Sequence, residues 1–525
     1  MARTIFYIIS VIGIVFVVLV HFVWPPVTWF LVLLVPYILL GLWDLNFARH
    51  NVLRNYPVIG HLRYALEFIS PEIHQYFIES NESGRPYNRQ QRHLIYARGD
   101  KTLDSQPFGT QYDIQQVGYL RASHSLAPKV AKHETNRVTV GGPDCKKPYW
   151  ASRLNISAMS FGALSHTAIH ALNAGAKRGN FAHNTGEGGL SPYHLAGGGD
   201  IIWQIGTGYF GCRADDGTFD TEKFTANANK DAVKMIEIKL SQGAKPGHGG
   251  VLPAAKVSKE ISEIRGVPMG HDVISPPAHT AFSSPVGLLE FVVKLRELTG
   301  GKPVGFKLCV GKRSEFMGIC KAMLKTGITP DFITVDGAEG GTGAAPLEFS
   351  NRLGVPLNEG LSFVHNCLVG IGMRQHIKVI ASAKIVTGFD IMEKIALGAD
   401  MCNMARPMMF ALGCIQSLRC NTNTCPTGIA TQDKARARAV DVKTRQIKVA
   451  NFHEATIGSF MDLVGACGLD NPDDLTPHHI FQRVANETEL AFDELYDYLE
   501  EGELINGTQH REYSEHWDKA SAESF

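Results

Sequence analysis

At 525 residues the chain is longer than one average domain, yet a (β/α)8 barrel of roughly 250 residues with attachments accounts for most of that length. Lys plus Arg and Asp plus Glu both number 51, so the formal net charge is zero and no broad field favours nucleic acid, which is excluded as a partner. Gly is frequent at 52 residues and often paired beside short apolar runs, which favours a cofactor-binding enzyme over a structural protein.

From Ile5 to Trp24 only Ser10 and His21 interrupt an apolar run, and about twenty residues at roughly 1.5 Å each span a bilayer's hydrocarbon. Trp24-Pro25-Pro26 breaks the run, and Val27 to Trp43 is apolar again without a charge, so residues 1–45 read as a two-helix transmembrane hairpin. A cleaved signal peptide fits less well, because the first run is too long, lacks a small-residue cleavage site and is followed by a second run. Arg3 flanks one end and Arg49, Arg54 and Arg63 the other, which predicts a multi-pass cell-membrane protein with lipid as a partner and its catalytic domain in the cytoplasm.

Residues 46–150 are mixed and polar, and Pro57, Pro71, Pro86, Pro107 and Pro128 should break any long regular element, leaving a connector that packs on a barrel. Over 151–450, short β-branched runs alternate with Gly-rich loops and helical stretches, the pattern of parallel βα units in an α/β fold. The expected strands are Leu154–Met159, Phe181–Asn184, Ile201–Ile205, Met235–Leu240, Val304–Val310, Phe332–Val335, Val379–Ser382 and Met401–Met404. His271–Ser275 is a ninth candidate, assigned to a loop because it runs into Pro276-Pro277. Residues 451–525 read as a helical C-terminal appendage with an acidic, frayed or helical end.

The ten cysteines are scattered except within 413–432, where Cys414, Cys420 and Cys425-Pro426 stand with five and four residues between them. That arrangement suits a reducing compartment and a metal site better than a disulfide framework. Three soft thiolates on one looping segment suit a three-iron cluster, or a [4Fe–4S] centre with a distant fourth ligand. Zinc, with a fourth Cys or His, and plain buried cysteines are the rivals that spacing leaves open.

Gly413-Cys414-x5-Cys420-x4-Cys425-Pro-x-Gly-x-Ala-Thr-Gln432 resembles the cluster segment of the large-subunit synthase domain of glutamate synthases. Ser157-Ala-Met-Ser-Phe-Gly-Ala163, Asn184-Thr-Gly-Glu-Gly-Gly189, Gln242-Gly-Ala-Lys-Pro-Gly247, Ile274-Ser-Pro-Pro277 and Gly340-Gly-Thr-Gly-Ala344 resemble its other motifs, in the same order, over about residues 105 to 465. The resemblance implies an FMN-binding TIM barrel, with a 3Fe–4S cluster on Cys414, Cys420 and Cys425. In such barrels the ligand lies over the carboxyl ends of the strands and its phosphate beside the last two loops, where Ala383 to Gly388 and Arg406 stand. Met159, Ser160 and Gln204 are the expected flavin contacts. A cation tunes the reduced ring, a role open to Lys307 and to Lys239, either of which is otherwise a buried ion-pair partner.

An oxo acid with two carboxylates needs cations and a polar clamp, and Gln242, Lys245 and Arg265 lie where the family's 2-oxoglutarate contacts occur. Glu187 is a candidate proton-transfer group, the catalytic set being Glu187, Lys245 and Lys307. His248 departs from the family's Lys-Pro-Gly-Glu-Gly-Gly, placing a titratable imidazole where many members have a carboxylate. The family's amidotransferase uses an N-terminal Cys, whereas this sequence opens Met1-Ala2-Arg3, so ammonia or a separate glutaminase subunit is the expected nitrogen source. No Gly-x-Gly-x-x-Gly opens a helix after a strand, so electrons should come from an external, ferredoxin-like protein. The expected activity is reductive amination of 2-oxoglutarate. The alternatives are a related flavin and iron–sulfur enzyme of the N-methylglutamate type, and a membrane electron-transfer subunit.

Overall fold

The computed structural model describes residues 2–525, so Met1 of the expected hairpin lies outside the described residues. Contacts divide the chain into two units, 1–90 and 91–525. In the first, α1 (Ala2–His21) and α2 (Leu31–Phe47) are joined by a short turn over Pro25–Phe30, where proline closes one helix and opens the next. Ala2–His21 and Pro25–Phe47, the latter taking in the turn, are each long and apolar enough to cross a membrane. Gly41 lets them approach, since a Cβ there would overlap the Phe6 ring, and Val17, Val27 and Leu34 form a small buried cluster. Arg3 donates from Nε to Arg54 O (2.8 Å) and from Nη2 to Asn55 Oδ1 (3.0 Å), bringing the two ends of the hairpin together. The prolines beyond it do not prevent helix: α3 (Gly60–Ile73) holds Pro71 in its last turn and runs into a wider turn at His74–Ile78. Pro71 has no N–H to offer the carbonyl of Glu67, so one intrahelical bond is lost there while the turns before it stay intact.

The second unit is built on a closed parallel barrel of β1 (Leu154–Ile156), β2 (His183–Asn184), β3 (Ile201–Ile205), β4 (Val233–Lys239), β5 (Val304–Leu308), β6 (Phe332–Asp336), β7 (Lys378–Ser382) and β8 (Met401–Met404). All eight expected strands are present, in chain order around the barrel, and β8 closes on β1 with Cys402 opposite Leu154 and Asn403 opposite Asn155. Their near-continuous apolar runs follow from burial on both faces, as in Ile201-Ile-Trp-Gln-Ile205, where all five residues are buried. Val273–Ile274 lies outside the barrel, as expected, but is a short strand paired antiparallel with Val251–Leu252 rather than plain loop.

One end of the barrel is plugged. The hairpin Arg137–Val140/Tyr149–Ser152 packs Val138, Val140, Tyr149 and Ala151 against Ala182, Ile202, Met235, Phe332, Ile380 and Met401, near the amino ends of the strands. Chemistry is therefore confined to the carboxyl ends. Outside, α4 (His166–Gly179) and α5 (Gly388–Ala396) both pack on the long α6 (Val442–Ala466). Contact is close at Gly175 and Gly388, where a Cβ would crowd Val449 and the Phe460 backbone. The C-terminal part is helical, with added strands Ile480–Ala485 and Thr488–Ala491 beside Leu120–Ala122. Its end is docked rather than frayed: Tyr513 stacks on Phe363 and Val286 N donates to Ala522 O (3.1 Å).

Candidate active site

Glu237 on β4 organises the barrel interior. It is 1% exposed, and its carboxylate accepts Asn184 Nδ2 (2.8 Å), Gln204 Nε2 (2.7 Å) and Thr334 Oγ1 (2.6 Å). Those donors stand on β2, β3 and β6, so the bonds cross the barrel's inside. Gln204 is thereby held at a fixed orientation at the end of β3. The sequence reading missed Glu237, although a lone acid in Val233-Lys-Met-Ile-Glu-Ile-Lys239 is unusual for a doubly buried strand.

Above this layer a group of charges converges. Lys239 Nζ at the end of β4 lies 2.9 Å from Glu187 Oε1, on the loop after β2. Burial pushes the Glu187 carboxyl up, but Lys239, joined by Lys245 and Arg265, outweighs burial and holds it below its usual value. Lys245 is almost wholly buried, and burial lowers its ammonium to about 8, with Glu187 opposing and Lys239 reinforcing the fall. Burial brings Arg265 to about 10, again opposed by Glu187. Its Nη2 donates to Phe161 O (3.1 Å), the guanidinium lies 5.1 Å from the Phe210 ring centroid, and Nε has no partner. Gly250 gives Glu187 room, since a Cβ there would overlap the carboxylate. Glu187, Lys245 and Arg265 line one open cleft with Ser160, Ser275, Lys256, Thr342 and Cys420.

The other expected residues are more dispersed. Lys307 on β5 pairs with Asp336 on β6 (3.3 Å), whose Oδ2 also accepts Gly243 N (2.8 Å), so Lys239 and Lys307 are both ion-paired. Gln242 keeps a buried Nε2 without a partner. His248 is not among the cleft residues; its Nδ1 bonds Gly249 O (2.9 Å) and its ring meets Phe349 edge-on. The Met159 N–H donates to Asn184 O (3.2 Å), and its carbonyl accepts from His194 Nε2 (3.2 Å), a histidine kept neutral by burial at about 4. Gly388 opens α5, but the nearby N–H groups of Val386 and Thr387 already donate to Asp390 Oδ2 (2.8 Å each). The turn at Ala383-Lys384 leaves Lys384 exposed, with φ of 43°. At the ends of β1, β7 and β8, the Ser157 and Ser382 hydroxyls stand 3.4 Å apart near Asn403, whose buried Oδ1 has no partner. Unmet polar groups at these strand ends fit a flavin's polar ring edge.

Among the described residues no three His, Cys, Asp or Glu side chains converge as the ligands of a single ion would. A multi-iron cluster takes each thiolate on a different iron, so its sulfurs stand farther apart. The surroundings of Cys420 and Cys425 suit anionic sulfur, whereas those of Cys414 favour the thiol. Arg406, at the start of its helix, donates from Nη1 to Cys420 Sγ (3.5 Å) and from Nη2 to Thr342 O. Burial raises the Cys425 thiol, but the Thr427 hydroxyl and the N–H groups of Ala430, Thr427 and Ile429 outweigh it and hold it low. Cys414 is raised to about 11 by burial, with Gln416 N–H and Arg406 opposing. Lys256, which the sequence reading missed, donates from a buried Nζ to Ala163 O (3.0 Å), Cys420 O (2.6 Å) and Ala430 O (3.0 Å). Arg406 thus faces the cysteine segment, and a three-iron cluster fits the residues present.

A sequence profile described as "Conserved region in glutamate synthase" matches residues 115–470. The glutamate synthase large subunit-like protein YerD of Bacillus subtilis is 37% identical over 487 residues, covering 85% of this chain and 92% of that protein. The archaeal glutamate synthase [NADPH] of Methanocaldococcus jannaschii is 35% identical over 321 residues, covering 61% of this chain and 60% of its own length. Among solved structures, a mutant flavocytochrome b2 with benzoylformate aligns over 81% of this chain and 87% of its own, at 12% identity and a TM-score of 0.43.

Proposed function

The chain belongs to the glutamate synthase family, and from that premise we propose that it is a flavin-dependent oxidoreductase that aminates 2-oxoglutarate reductively to glutamate. The observation that carries this reading is the meeting of Lys245, Arg265 and Glu187 in a cleft that also reaches Cys420. Two buried cations match the two carboxylates of the oxo acid, and the unpartnered Gln242 Nε2 is a donor for the carbonyl oxygen. A pure electron relay needs no such pocket. Ammonia is the proposed nitrogen donor, free or released by a separate glutaminase.

Glu187 is ionised because three cations face it. Once substrate carboxylates offset Lys245 and Arg265, burial weighs more heavily and the group becomes a better proton acceptor. It then takes the proton that ammonium must lose before nitrogen attacks the carbonyl carbon. The carbinolamine so formed loses its oxygen as water to give the imine, and FMN, which Met159, Ser160, Gln204, Lys307, Ala383 and Gly388 would hold over the strand ends, would supply the hydride that reduces the imine carbon. Cys414, Cys420 and Cys425 would hold a 3Fe–4S cluster that receives electrons from a ferredoxin-like donor, with Arg406 beside Cys420 Sγ and Lys256 tying together the backbone at Cys420 and Ala430. We also place α1 and α2 across the cell membrane with both ends cytoplasmic, a reading supported by the Arg3 bonds to Arg54 and Asn55.

Anaerobic protein given a reduced viologen dye, ammonium and a panel of oxo acids tests the assignment. The expected result is glutamate formed from 2-oxoglutarate and little turnover of pyruvate or oxaloacetate. Turnover of N-methylglutamate in place of 2-oxoglutarate amination would transfer the chain to that related chemistry.

A further inference from the structure

We infer that α3 and the turn after it form a second membrane-contacting element, lying flat at the headgroup–acyl boundary of the bilayer that α1 and α2 cross. The inference rests on the anchoring proposed above. Leu62, Leu66, Ile69 and Ile73 recur at intervals of four, three and four, which keeps them on one side of an α-helix. In a soluble helix such a stripe faces the core. Here the four side chains are 60, 52, 42 and 37% exposed. Tyr76, Phe77 and Ile78 continue the apolar surface, Phe77 at 85%. The flanks are polar: Arg63 pairs with Glu67 one turn on (2.9 Å), and His61 meets Asp44 (2.9 Å).

Lipid is the occupant because of where this helix is tied. Asp44, in the last turn of α2 and wholly buried, accepts Val58 N (2.8 Å) and bonds His61, fixing the start of α3 to the end of α2. Arg54 Nε donates to Ala48 O (2.7 Å), and Arg3 reaches Arg54 O from the start of α1. The first turn of α3 therefore sits at one end of the hairpin, the depth at which hydrocarbon gives way to headgroups. Phe47, Tyr56 and Ile59, which lie between the hairpin and the stripe in the chain, are exposed as well. Arg49 and Arg54, between hairpin and stripe in the chain, are the cations that would meet lipid phosphates.

The test uses the full chain in vesicles of phosphatidylcholine and phosphatidylglycerol doped with a diazirine-bearing phospholipid, photolysed and mapped by mass spectrometry. Adducts are expected on residues 2–47 and also on 59–78, concentrated at Leu62, Leu66, Ile69, Ile73 and Phe77. Replacing Leu66→Glu and Ile69→Glu together should remove most of the second set while sparing the first. Adducts on 2–47 with none on 59–78 in the unaltered chain would overturn the inference and leave the anchor standing. An absence of adducts on both segments would overturn the anchor, and the inference with it.

Discussion

Lys245 should make catalysis fall at alkaline pH. Burial brings its ammonium to about 8, so a group almost fully protonated at pH 7 is about one-tenth protonated at pH 9. If the ammonium holds a substrate carboxylate, kcat/KM for 2-oxoglutarate, corrected for the rising fraction of free ammonia, should drop about tenfold between those values. Lys245→Met removes the charge altogether. A hydrogen bond to a charged group is worth about 1.5–3 kcal/mol, so kcat/KM at pH 7 should fall roughly 10- to 150-fold, mostly through KM. Lys245→Arg should restore part of this and move the alkaline limb beyond pH 9, because guanidinium stays protonated. The assay is initial rate with a reduced dye from pH 6.5 to 9.5, at saturating ammonium. A corrected profile that stays flat to pH 9.5, or a Lys245→Met enzyme with unchanged KM, would refute the carboxylate-binding role.

Cys420→Ser should lose most of the iron while keeping most of the FMN, as read by metal analysis and by flavin released on denaturation. Gly243→Ala would force a Cβ into Gly337 O, displacing the loop that carries Gln242 and Lys245; KM for 2-oxoglutarate should rise tenfold or more on the order expected for a lost charged contact, with flavin content unchanged. Glu237→Leu leaves Asn184, Gln204 and Thr334 without their shared acceptor, at about 1–3 kcal/mol for each unsatisfied donor. Thermal denaturation should show a clear loss of stability, and Glu237→Gln a smaller one.

The barrel was legible because its strands obey a local rule: runs such as Ile201–Ile205 and Val379–Ser382 are apolar but for Gln204 and Ser382, as suits parallel strands covered by helices. The cysteine segment was legible for the same reason, its three thiols lying within twelve consecutive positions. What could not be read locally was pairing across the barrel. Lys239 and Lys307 stand at equivalent strand ends, and only the fold gives them Glu187 and Asp336, far away in sequence. Lys256 looks like an ordinary loop cation until three carbonyls from two distant segments are found around it. In α3 the apolar spacing was present in the sequence, but Pro57 and Pro71 suggested an irregular connector; a proline in the last turn leaves the preceding helix intact.

Reductive amination by the bound flavin can be followed in a single turnover. The protein is reduced anaerobically with dithionite, freed of excess reductant, and mixed with 2-oxoglutarate and 15N-ammonium while the visible spectrum is followed. Rapid flavin reoxidation that needs both reactants is expected, accompanied by 15N-glutamate in roughly stoichiometric amount with the flavin oxidised. Flavin that stays reduced with both reactants present, or reoxidises without forming 15N-glutamate, would contradict reductive amination at this flavin.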